Sequence, residues 1–320
     1  MKRMIAAALM ILLLLSVTAC DKAPSKESTP LNAESKAATE ITAQTNAEVY
    51  QLLDFDDEQE AEFAGRGLIF APDSLVIQAE NGMTIWSQDA YDFVRESGDA
   101  PTSANPSLWR NTQYNARYGL FEVTDGIYQV RGYDISNITF VRSENGWIIM
   151  DCGSSRYTAS EALKLFREQM GDDRIVAVVI SHAHVDHYGG IKGIVSEQDV
   201  AERAIPLIVP QGFAEHAVAE NVYAGNAMGR RASYQYGVML EPGAQGSLSI
   251  GIGLGQSKGN TSYIAPNDVI AATGETRVVD GVRMEFQMTP GTEAPAEMNT
   301  WFPDLHALWV AENCTGTLHN

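Results

Sequence analysis

The most constraining feature of the sequence is a cluster of histidines that follows an apolar run. Residues 175–180 form a continuous apolar segment rich in β-branched side chains, which predicts a buried strand. Directly after it, positions 181–190 read Ser-His-Ala-His-Val-Asp-His-Tyr-Gly-Gly. Imidazole and carboxylate groups are good zinc ligands. The alternative is a surface loop that is rich in histidine by chance, but it would explain neither the preceding strand nor the glycine pair. We therefore predict metal ligands within this loop: His182, His184, Asp186 and His187.

Composition narrows the classes of protein to which the chain can belong. It has 320 residues, 45% of them hydrophobic, which suits one large folded domain with appendages or two domains. The formal net charge of -19 argues against nucleic-acid binding, because binding phosphates requires clusters of Lys and Arg. The cysteines form no Cys-x-x-Cys pattern, so any metal chemistry must come from histidines and carboxylates.

The N-terminus has the pattern of an export signal. Lys2 and Arg3 precede an apolar run at 5–17, which is shorter than an ordinary membrane span of about 20 residues. The run ends in Val-Thr-Ala-Cys, which resembles a bacterial lipobox. We therefore expect residues 1–19 to be a lipoprotein signal peptide and a lipidated Cys20 to anchor the protein to a membrane of the bacterial cell envelope, facing the periplasm in a Gram-negative host. A plain signal peptide cleaved elsewhere is the alternative.

Changes in composition set boundaries further along the chain. Residues 20–48 are rich in Ser, Ala, Thr, Lys and Glu, so we predict a flexible tether there. Residues 49–117 mix short apolar runs with Gly, Pro and Asn, which predicts an irregular N-terminal layer with an acidic helix at 54–64. Through residues 118–320, strand-like and helix-like segments alternate, which predicts a layered α/β domain.

Several segments of that domain have a distinct periodicity. A Ser-Glu-Asn-Gly turn at 143–146 separates two strand-like segments, which predicts a β-hairpin. Residues 158–170 carry apolar side chains at helical spacing, with Thr158 or Ser160 as the candidate N-cap. Further strands are predicted at 120–130, 206–209, 283–288 and 307–310, and further helices from about 190 and at 213–221.

The His-x-His-x-Asp-His loop resembles the signature of the metallo-β-lactamase fold, an αββα sandwich. That resemblance implies two zinc ions per chain, with His182 and His184 on one ion and Asp186 and His187 on the other. Such sites lower the pKa of a shared water toward about 7, and Asp186 is the ligand that we also predict to be catalytic. Asp151 matches an aspartate that supports the metal loop from behind, the alternative being an ordinary aspartate at a strand end.

Further stretches resemble the zinc-dependent alkylsulfatases. They are Ala-Glu-Asn-Val-Tyr-Ala-Gly-Asn-Ala-Met-Gly-Arg-Arg at 219–231, the segment 289–298, and Ala-Glu-Asn followed by Thr-Leu-His-Asn within 311–320. The resemblance implies that Glu293 and Glu312 complete the metal site, although either glutamate alone would more often be a surface charge. We expect Glu297 to be structural, as a neighbour of Glu293 on one helix face.

The resemblance also implies an activity, the hydrolysis of alkyl sulfate esters such as dodecyl sulfate to alcohol and sulfate. Residues 257–261 are expected at the rim of the pocket. Four residues either shape the substrate side or are ordinary surface residues: Arg230, Arg231, Tyr234 and Tyr236.

The remaining histidines and cysteines have weaker patterns. His216 and His306 lack ligand-like spacing and are expected to be structural, and we assign no metal role to His319. Cys152 and Cys314 either form a disulfide, which export would permit, or Cys152 is a buried free thiol.

Alkylsulfatases continue well beyond the position that matches Asn320. There they carry a sulfate-binding arginine and a later histidine ligand, followed by a helical dimerisation region. The resemblance therefore predicts a sandwich incomplete at its C-terminus, a second metal site that lacks one ligand, and a homodimer only in a full-length form. Two alternatives stay open, namely another metallo-hydrolase on this scaffold, such as a lactamase or phosphodiesterase, and a catalytically silent metal-binding lipoprotein.

Overall fold

Strands and helices alternate through most of the structure, a computed structural model that describes residues 36–95, 98–202 and 205–315. The strands are β1 (Leu68–Phe70), β2 (Val76–Gln78), β3 (Thr84–Ser87), β4 (Gly119–Thr124), β5 (Ile127–Arg131), β6 (Ile138–Arg142), β7 (Gly146–Met150), β8 (Arg174–Val179), β9 (Leu207–Pro210), β10 (Asp268–Ile270), β11 (Thr276–Val279), β12 (Val282–Met288), β13 (Met298–Phe302) and β14 (Ala307–Trp309). The helices are α1 (Glu40–Leu52), α2 (Gln59–Gly65), α3 (Asp92–Arg95), α4 (Pro106–Asn115), α5 (Arg156–Met170), α6 (Val185–Tyr188), α7 (Glu197–Glu202), α8 (Phe213–Val218) and α9 (Gly225–Gln235).

The strands form two main sheets. The larger has the order β1-β4-β5-β6-β7-β8-β9-β10, antiparallel from β1 to β7 and parallel from β7 to β10. The smaller is the antiparallel series β11-β12-β13-β14. Because β7, β8 and β9 run parallel, the loops that leave their carboxyl ends lie side by side at one edge of the larger sheet.

The larger sheet is covered on both faces, and β7 shows why its sequence is continuously apolar. Trp147 and Ile149 point to the face that packs against α5, where the rings of Phe140 and Phe166 stack with centroids 3.7 Å apart. The alternate residues of β7, Ile148 and Met150, point to the other face. There they meet side chains of the smaller sheet: Met284, Phe286, Met298 and Phe302.

These layers confirm an α/β sandwich, with α5, the larger sheet and the smaller sheet stacked in that order. The N-terminal layer predicted at residues 49–117 is joined to it, because β1 pairs with β4 and Trp86 and Tyr91 are buried in the same cluster as α5. The outer face of the smaller sheet exposes Val278 and Leu308.

Some local predictions are wrong. The strand predicted at 120–130 is a hairpin, since β4 and β5 pair across a turn at Asp125-Gly126 in which Gly126 has φ +76°. The N-cap of α5 is Ser155, whose hydroxyl accepts a hydrogen bond from the Thr158 amide, because the helix begins two residues earlier than its apolar spacing indicates. The acidic helix predicted at 54–64 begins at Gln59.

The tether predicted at 20–48 is helical in its last part. The helix α1 begins at Glu40 behind an N-cap at Thr39, because Ala, Glu and Gln favour helix even without buried residues. Asn46 of α1 donates to the Thr102 carbonyl oxygen at 2.8 Å. The signal peptide predicted at 1–19, Cys20 and His319 lie outside the described residues. Within the described ranges, none of the helices has the length and apolarity to cross a membrane.

Candidate metal centre

The candidate centre lies where the parallel strands β7 and β8 end. Asp151 follows β7 directly, and its backbone amide donates to the Val179 carbonyl oxygen at the end of β8. This pairing places the Asp151 side chain beneath the loop that begins at Ser181. The location is the one expected for a site in an α/β protein, at the carboxyl ends of parallel strands.

Asp151 holds the first part of the loop from below and is itself buried, with 2% of the residue exposed. One carboxylate oxygen accepts from the Ser181 amide and the other from the Ser181 hydroxyl, both at 2.8 Å. The second oxygen also lies 2.6 Å from Nδ1 of His187. The residue has φ +58°, a left-handed conformation that Asp tolerates better than most side chains. These contacts agree with the predicted supporting role.

The histidine loop packs directly against the backbone of residues 152–154, which follow Asp151. The amide of Cys152 donates to the His187 carbonyl oxygen at 2.7 Å, and the amide of Gly190 donates to the Gly153 carbonyl oxygen at 2.9 Å. A Cβ on Gly190 would lie 2.0 Å from the Cys152 carbonyl oxygen, and one on Gly189 would meet a backbone oxygen at 2.3 Å. The glycine pair is therefore required for this approach as well as for the turn.

The histidine rings converge on one space. Nδ1 of His182 lies 2.8 Å from the Ser181 hydroxyl, so its Nε2 faces Nδ1 of His184 at 3.0 Å. Nε2 of His187 lies 3.3 Å from the Asp186 carboxylate. His182 and His187 are buried, whereas the side chain of His184 is 24% exposed and gives the centre its open side.

The two predicted glutamates reach the same space from the far end of the sequence. Oε2 of Glu312 lies 3.1 Å from Nε2 of His187 and 3.4 Å from Nε2 of His182, which places it between the two halves of the loop. Two groups of ligand atoms are each close enough to hold a metal ion, and Glu312 belongs to both: His182, His184 and Glu312, and Asp186, His187 and Glu312. Oε1 of Glu293 lies 3.6 Å from Nδ1 of His184 at the edge of the first group.

Neighbouring groups of the centre shift the pKa values of Glu312 and His187. Burial alone would raise the pKa of the Glu312 carboxyl, but hydrogen bonds to His182 and His187 outweigh it and hold that pKa below its usual range. Burial alone would lower the pKa of His187, but the carboxylates of Asp186 and Asp151 raise it well above its usual value. The Glu312 carboxylate is therefore ionised, whereas His187 favours the protonated form and must release its proton when a metal ion binds.

Comparisons with known proteins place the chain in a family. The sequence model of the Metallo-beta-lactamase superfamily matches residues 131–293, a range that contains β6 to β12 and the whole histidine loop. The chain belongs to this superfamily. The superfamily's chemistry implies a divalent metal ion, and the imidazole and carboxylate groups described above fit one.

Within the metallo-β-lactamase superfamily, the chain is similar to several alkylsulfatases. It is 47% identical over 285 residues to a linear primary-alkylsulfatase from Pseudomonas sp., covering 89% of this chain and 42% of the relative. It is 43% identical over 288 residues to an (R)-specific secondary-alkylsulfatase from Pseudomonas sp., covering 90% of this chain and 43% of the relative. The solved structure of a stereoselective inverting sec-alkylsulfatase from Pseudomonas sp. superposes with a TM-score of 0.81 at 44% identity, covering 85% of this chain and 43% of that one. The chain thus spans about two fifths of the length of these relatives.

For this member of the metallo-β-lactamase superfamily, the structure brings together all six predicted ligands: His182, His184, Asp186, His187, Glu293 and Glu312. Their role as ligands stays a prediction. Glu297 is structural as expected, but the segment before it is a loop and not the predicted helix. Its fully buried carboxylate accepts from the Thr292 hydroxyl at 2.7 Å and from the Glu293 amide at 2.8 Å, so Glu297 shapes the loop that presents Glu293.

The residues predicted on the substrate side divide into two groups. Tyr236 is half-buried near the centre, where burial and then the charges of Asp186, Glu312 and Glu293 raise the pKa of its phenol. Exposed side chains on α9 form the second group: Arg230, Arg231 and Tyr234. In the segment 257–261, the Ser257 hydroxyl donates to Asp134 at 2.9 Å, and Asp134 also accepts a hydrogen bond from Thr158 of α5.

Sequence reasoning missed two acidic residues around the centre. Asp134 is buried and accepts hydrogen bonds from Ser154, Thr158 and Ser257, which ties the loop after β5 to the start of α5. Glu220 lies 3.9 Å from the outer nitrogen of His184. Asp134 has no ligand-like spacing to any histidine, whereas Glu220 stands inside the alkylsulfatase-like stretch 219–231.

A cavity of about 940 Å³ opens beside the centre and is lined in part by Asp151, His187 and Glu312. Cys152 and Cys314 are both free, the first buried and the second exposed, so the disulfide alternative is wrong in this structure. Burial raises the pKa of the Cys152 thiol well above its usual value, which keeps it protonated and inert.

Proposed function

We propose that this chain carries the metal centre of a zinc-dependent alkylsulfatase, which hydrolyses alkyl sulfate esters such as dodecyl sulfate to an alcohol and sulfate. The observation that carries the proposal is the position of Glu312, within 3.4 Å of both His182 and His187. A glutamate between the two halves of the histidine loop is the feature that the alkylsulfatase resemblance implies. The identities of 43–47% to two curated alkylsulfatases support it.

The donor set supports zinc. Imidazole nitrogens and carboxylate oxygens are preferred zinc ligands, whereas calcium and magnesium prefer oxygen alone. His182, His184 and Glu293 would hold one ion and Asp186 and His187 the other, with Glu312 between them. When bound, the ions would supply a water of lowered pKa and stabilise the charge that develops on the sulfate oxygens. Asp186, the proposed catalytic ligand, and Asp151 hold His187 from opposite sides.

The open side of the centre supports an amphiphilic substrate. Tyr236 stands near the site carboxylates, and apolar residues with large exposed surfaces occur just before and after it in the chain. Tyr234 is 93% exposed and Met239 is 65% exposed. An alkyl chain bound along such side chains would be removed from water, which contributes roughly 0.8 kcal/mol per buried methylene.

We also propose export and lipidation at Cys20. The basic Lys2-Arg3 pair, the apolar run that follows and the lipobox-like sequence support this location. Expression of the protein in bacteria that are supplied with a radioactive fatty acid would test this proposal. The wild type should incorporate the label, and replacement of Cys20 by Ser should abolish it.

The function is tested with the full-length protein from its source, including any sequence beyond Asn320, loaded with zinc and supplied with dodecyl sulfate, a β-lactam and a phosphodiester in parallel. We expect the protein to bind zinc and, of the three compounds, to hydrolyse only dodecyl sulfate, with release of sulfate. His184→Ala and Glu293→Ala should lower both zinc content and sulfate release, whereas His216→Ala, a histidine outside the centre, should lower neither. Hydrolysis of the β-lactam or the phosphodiester in place of dodecyl sulfate would contradict the proposal, as would zinc binding without release of sulfate.

A further inference from the structure

A widened helical turn follows α8 on the open side of the metal centre. In the turn Ala219–Tyr223, the amide of Ala224 donates to the Ala219 carbonyl oxygen at 3.0 Å, one residue further along than in an ordinary α-helix. Such widened turns are rare and occur frequently at functional sites. Here the turn carries Glu220 to within 3.9 Å of His184.

The two nitrogens of His184 face different partners. Nδ1 lies 3.0 Å from Nε2 of His182 and 3.6 Å from Oε1 of Glu293, so it faces the other proposed ligands. Nε2 points the other way, toward Oε2 of Glu220. The side chains of His184 and Glu220 are both about three quarters buried, with 24% and 26% exposed, so their interaction is only partly screened by water.

A second contact fixes the turn to the histidine loop. The side-chain amide of Asn221 donates to the Tyr188 hydroxyl at 3.1 Å and to the Ala217 carbonyl oxygen at 3.0 Å. Tyr188 ends α6, the short helix that His184 caps, and its ring packs edge-on against Phe213 of α8. The backbone that carries Glu220 is therefore tied to the backbone that carries His184.

The pKa of Tyr188 agrees with this arrangement. Burial and then the charge of the Glu220 carboxylate raise the pKa of the phenol to about 12. The phenol stays neutral and remains available to Asn221 as a hydrogen-bond partner. Glu220 thus lies close to the histidine loop on the side of Tyr188.

We propose that Glu220 is a positioning residue for His184. Its carboxylate attracts the proton on Nε2, which favours the tautomer whose Nδ1 is free to bind a metal ion and fixes the direction of the ring. The distance of 3.9 Å is an ion-pair distance and exceeds a direct hydrogen bond, so the effect in this conformation is electrostatic. A metal-binding histidine whose second nitrogen faces a carboxylate is a common arrangement, because the carboxylate raises the basicity of the ligand. This inference rests on the proposed metal centre.

Zinc affinity measured by competition with a coloured chelator tests the inference. We expect Glu220→Ala to lower the affinity for the zinc ion of the group that contains His184 by about 10- to 100-fold. Glu220→Gln should lie between this variant and the wild type, because the amide oxygen keeps a dipole directed at His184 but carries no charge. Glu215→Ala is the matched control, since Glu215 is an exposed glutamate on the preceding helix. The Tm of the metal-free protein should be the same for all four chains.

The outcomes separate this inference from the proposed function. Wild-type zinc affinity in Glu220→Ala overturns the positioning role, even if the chain hydrolyses dodecyl sulfate. A drop in the Tm of the metal-free Glu220→Ala chain that accounts for its weaker binding also overturns it, because the role would then be structural. Normal zinc binding by the wild type without sulfate release overturns the function, while the variant affinities still decide the role of Glu220. A wild type that binds no zinc overturns both.

Discussion

Oδ2 of Asp151 lies 2.6 Å from Nδ1 of His187 and also accepts a hydrogen bond from the Ser181 hydroxyl. One carboxylate therefore orients a proposed ligand and holds the start of the loop that carries three more. With Nδ1 occupied, Nε2 of His187 faces Glu312 at 3.1 Å and Asp186 at 3.3 Å. The second nitrogen of the ring is fixed before a metal ion arrives.

Asp151→Asn should lower zinc affinity by about 10- to 100-fold, because an amide nitrogen cannot accept a hydrogen bond from Nδ1 of His187 and the negative charge is lost. Chelator competition measures the affinity. Asp173→Asn is the control, since Asp173 pairs with Arg142 at the surface. Equal affinities for Asp151→Asn and the control would show that the metal loop does not depend on this support.

Glu312 and Glu293 should differ in how many metal ions depend on them. Glu312 belongs to both groups of ligand atoms, whereas Glu293 lies at the edge of the first group, 3.6 Å from His184. We therefore expect Glu312→Ala to deplete zinc at both positions and Glu293→Ala to deplete it at one. Elemental analysis after dialysis against dilute zinc counts the ions per chain. A Glu312→Ala chain that keeps its zinc while Glu293→Ala loses both ions would reverse the proposed assignment.

The histidine loop could be predicted from the sequence because its chemistry is local. A buried strand, four donor side chains within six residues and two glycines all point to one structure, and neighbouring parallel strands bring Asp151 beneath it. Glu293 and Glu312 are different, because more than 100 residues separate them from the loop. Only the resemblance to a family indicated them.

Other features gave weak or misleading signals. The alternation of apolar and polar residues at 120–130 continues through the turn at Asp125-Gly126. Periodicity alone therefore predicts one strand where the structure has two. Glu220 reaches His184 only because a helical turn widens, and helix patterns carry no signal for such widening. The sequence of α1 has helix-forming residues but no buried face, so composition favoured a tether.

Glu297 should matter for stability as well as for the metal centre. Its Oε2 accepts from the Thr292 hydroxyl and from the amides of Glu293 and Ala294. Glu297→Ala removes the acceptor that the amides of Glu293 and Ala294 share, which should lower the free energy of unfolding by about 1–3 kcal/mol and weaken zinc binding through Glu293. Glu297→Gln keeps an accepting oxygen and should lose less. Urea unfolding of the metal-free chains measures the free energy of unfolding. An equal decrease for Glu297→Ala and Glu297→Gln would contradict the predicted role of the accepting oxygen.

Asp280 connects the two sheets and should make stability depend on pH. Its carboxylate accepts from the Ser143 hydroxyl at 2.6 Å and from the backbone and side-chain amides of Asn145 at 2.7 and 2.8 Å. The Asn145 side chain first, and then Ser143, lower the pKa of this carboxyl from 3.8 to about 2.

A lowered pKa means that the folded protein gains stability from the charged carboxylate above about pH 4 and loses it as the pH falls toward 2. Asp280→Asn should therefore be less stable than the wild type at pH 6, and the difference should shrink as the pH falls from 4 to 3. Asn is the suitable replacement because it tolerates the left-handed backbone at φ +45°. Urea midpoints at pH 6, 5, 4 and 3 give the difference, and a gap that stays constant across this range would mean that the Asp280 charge does not hold the hairpin to the smaller sheet.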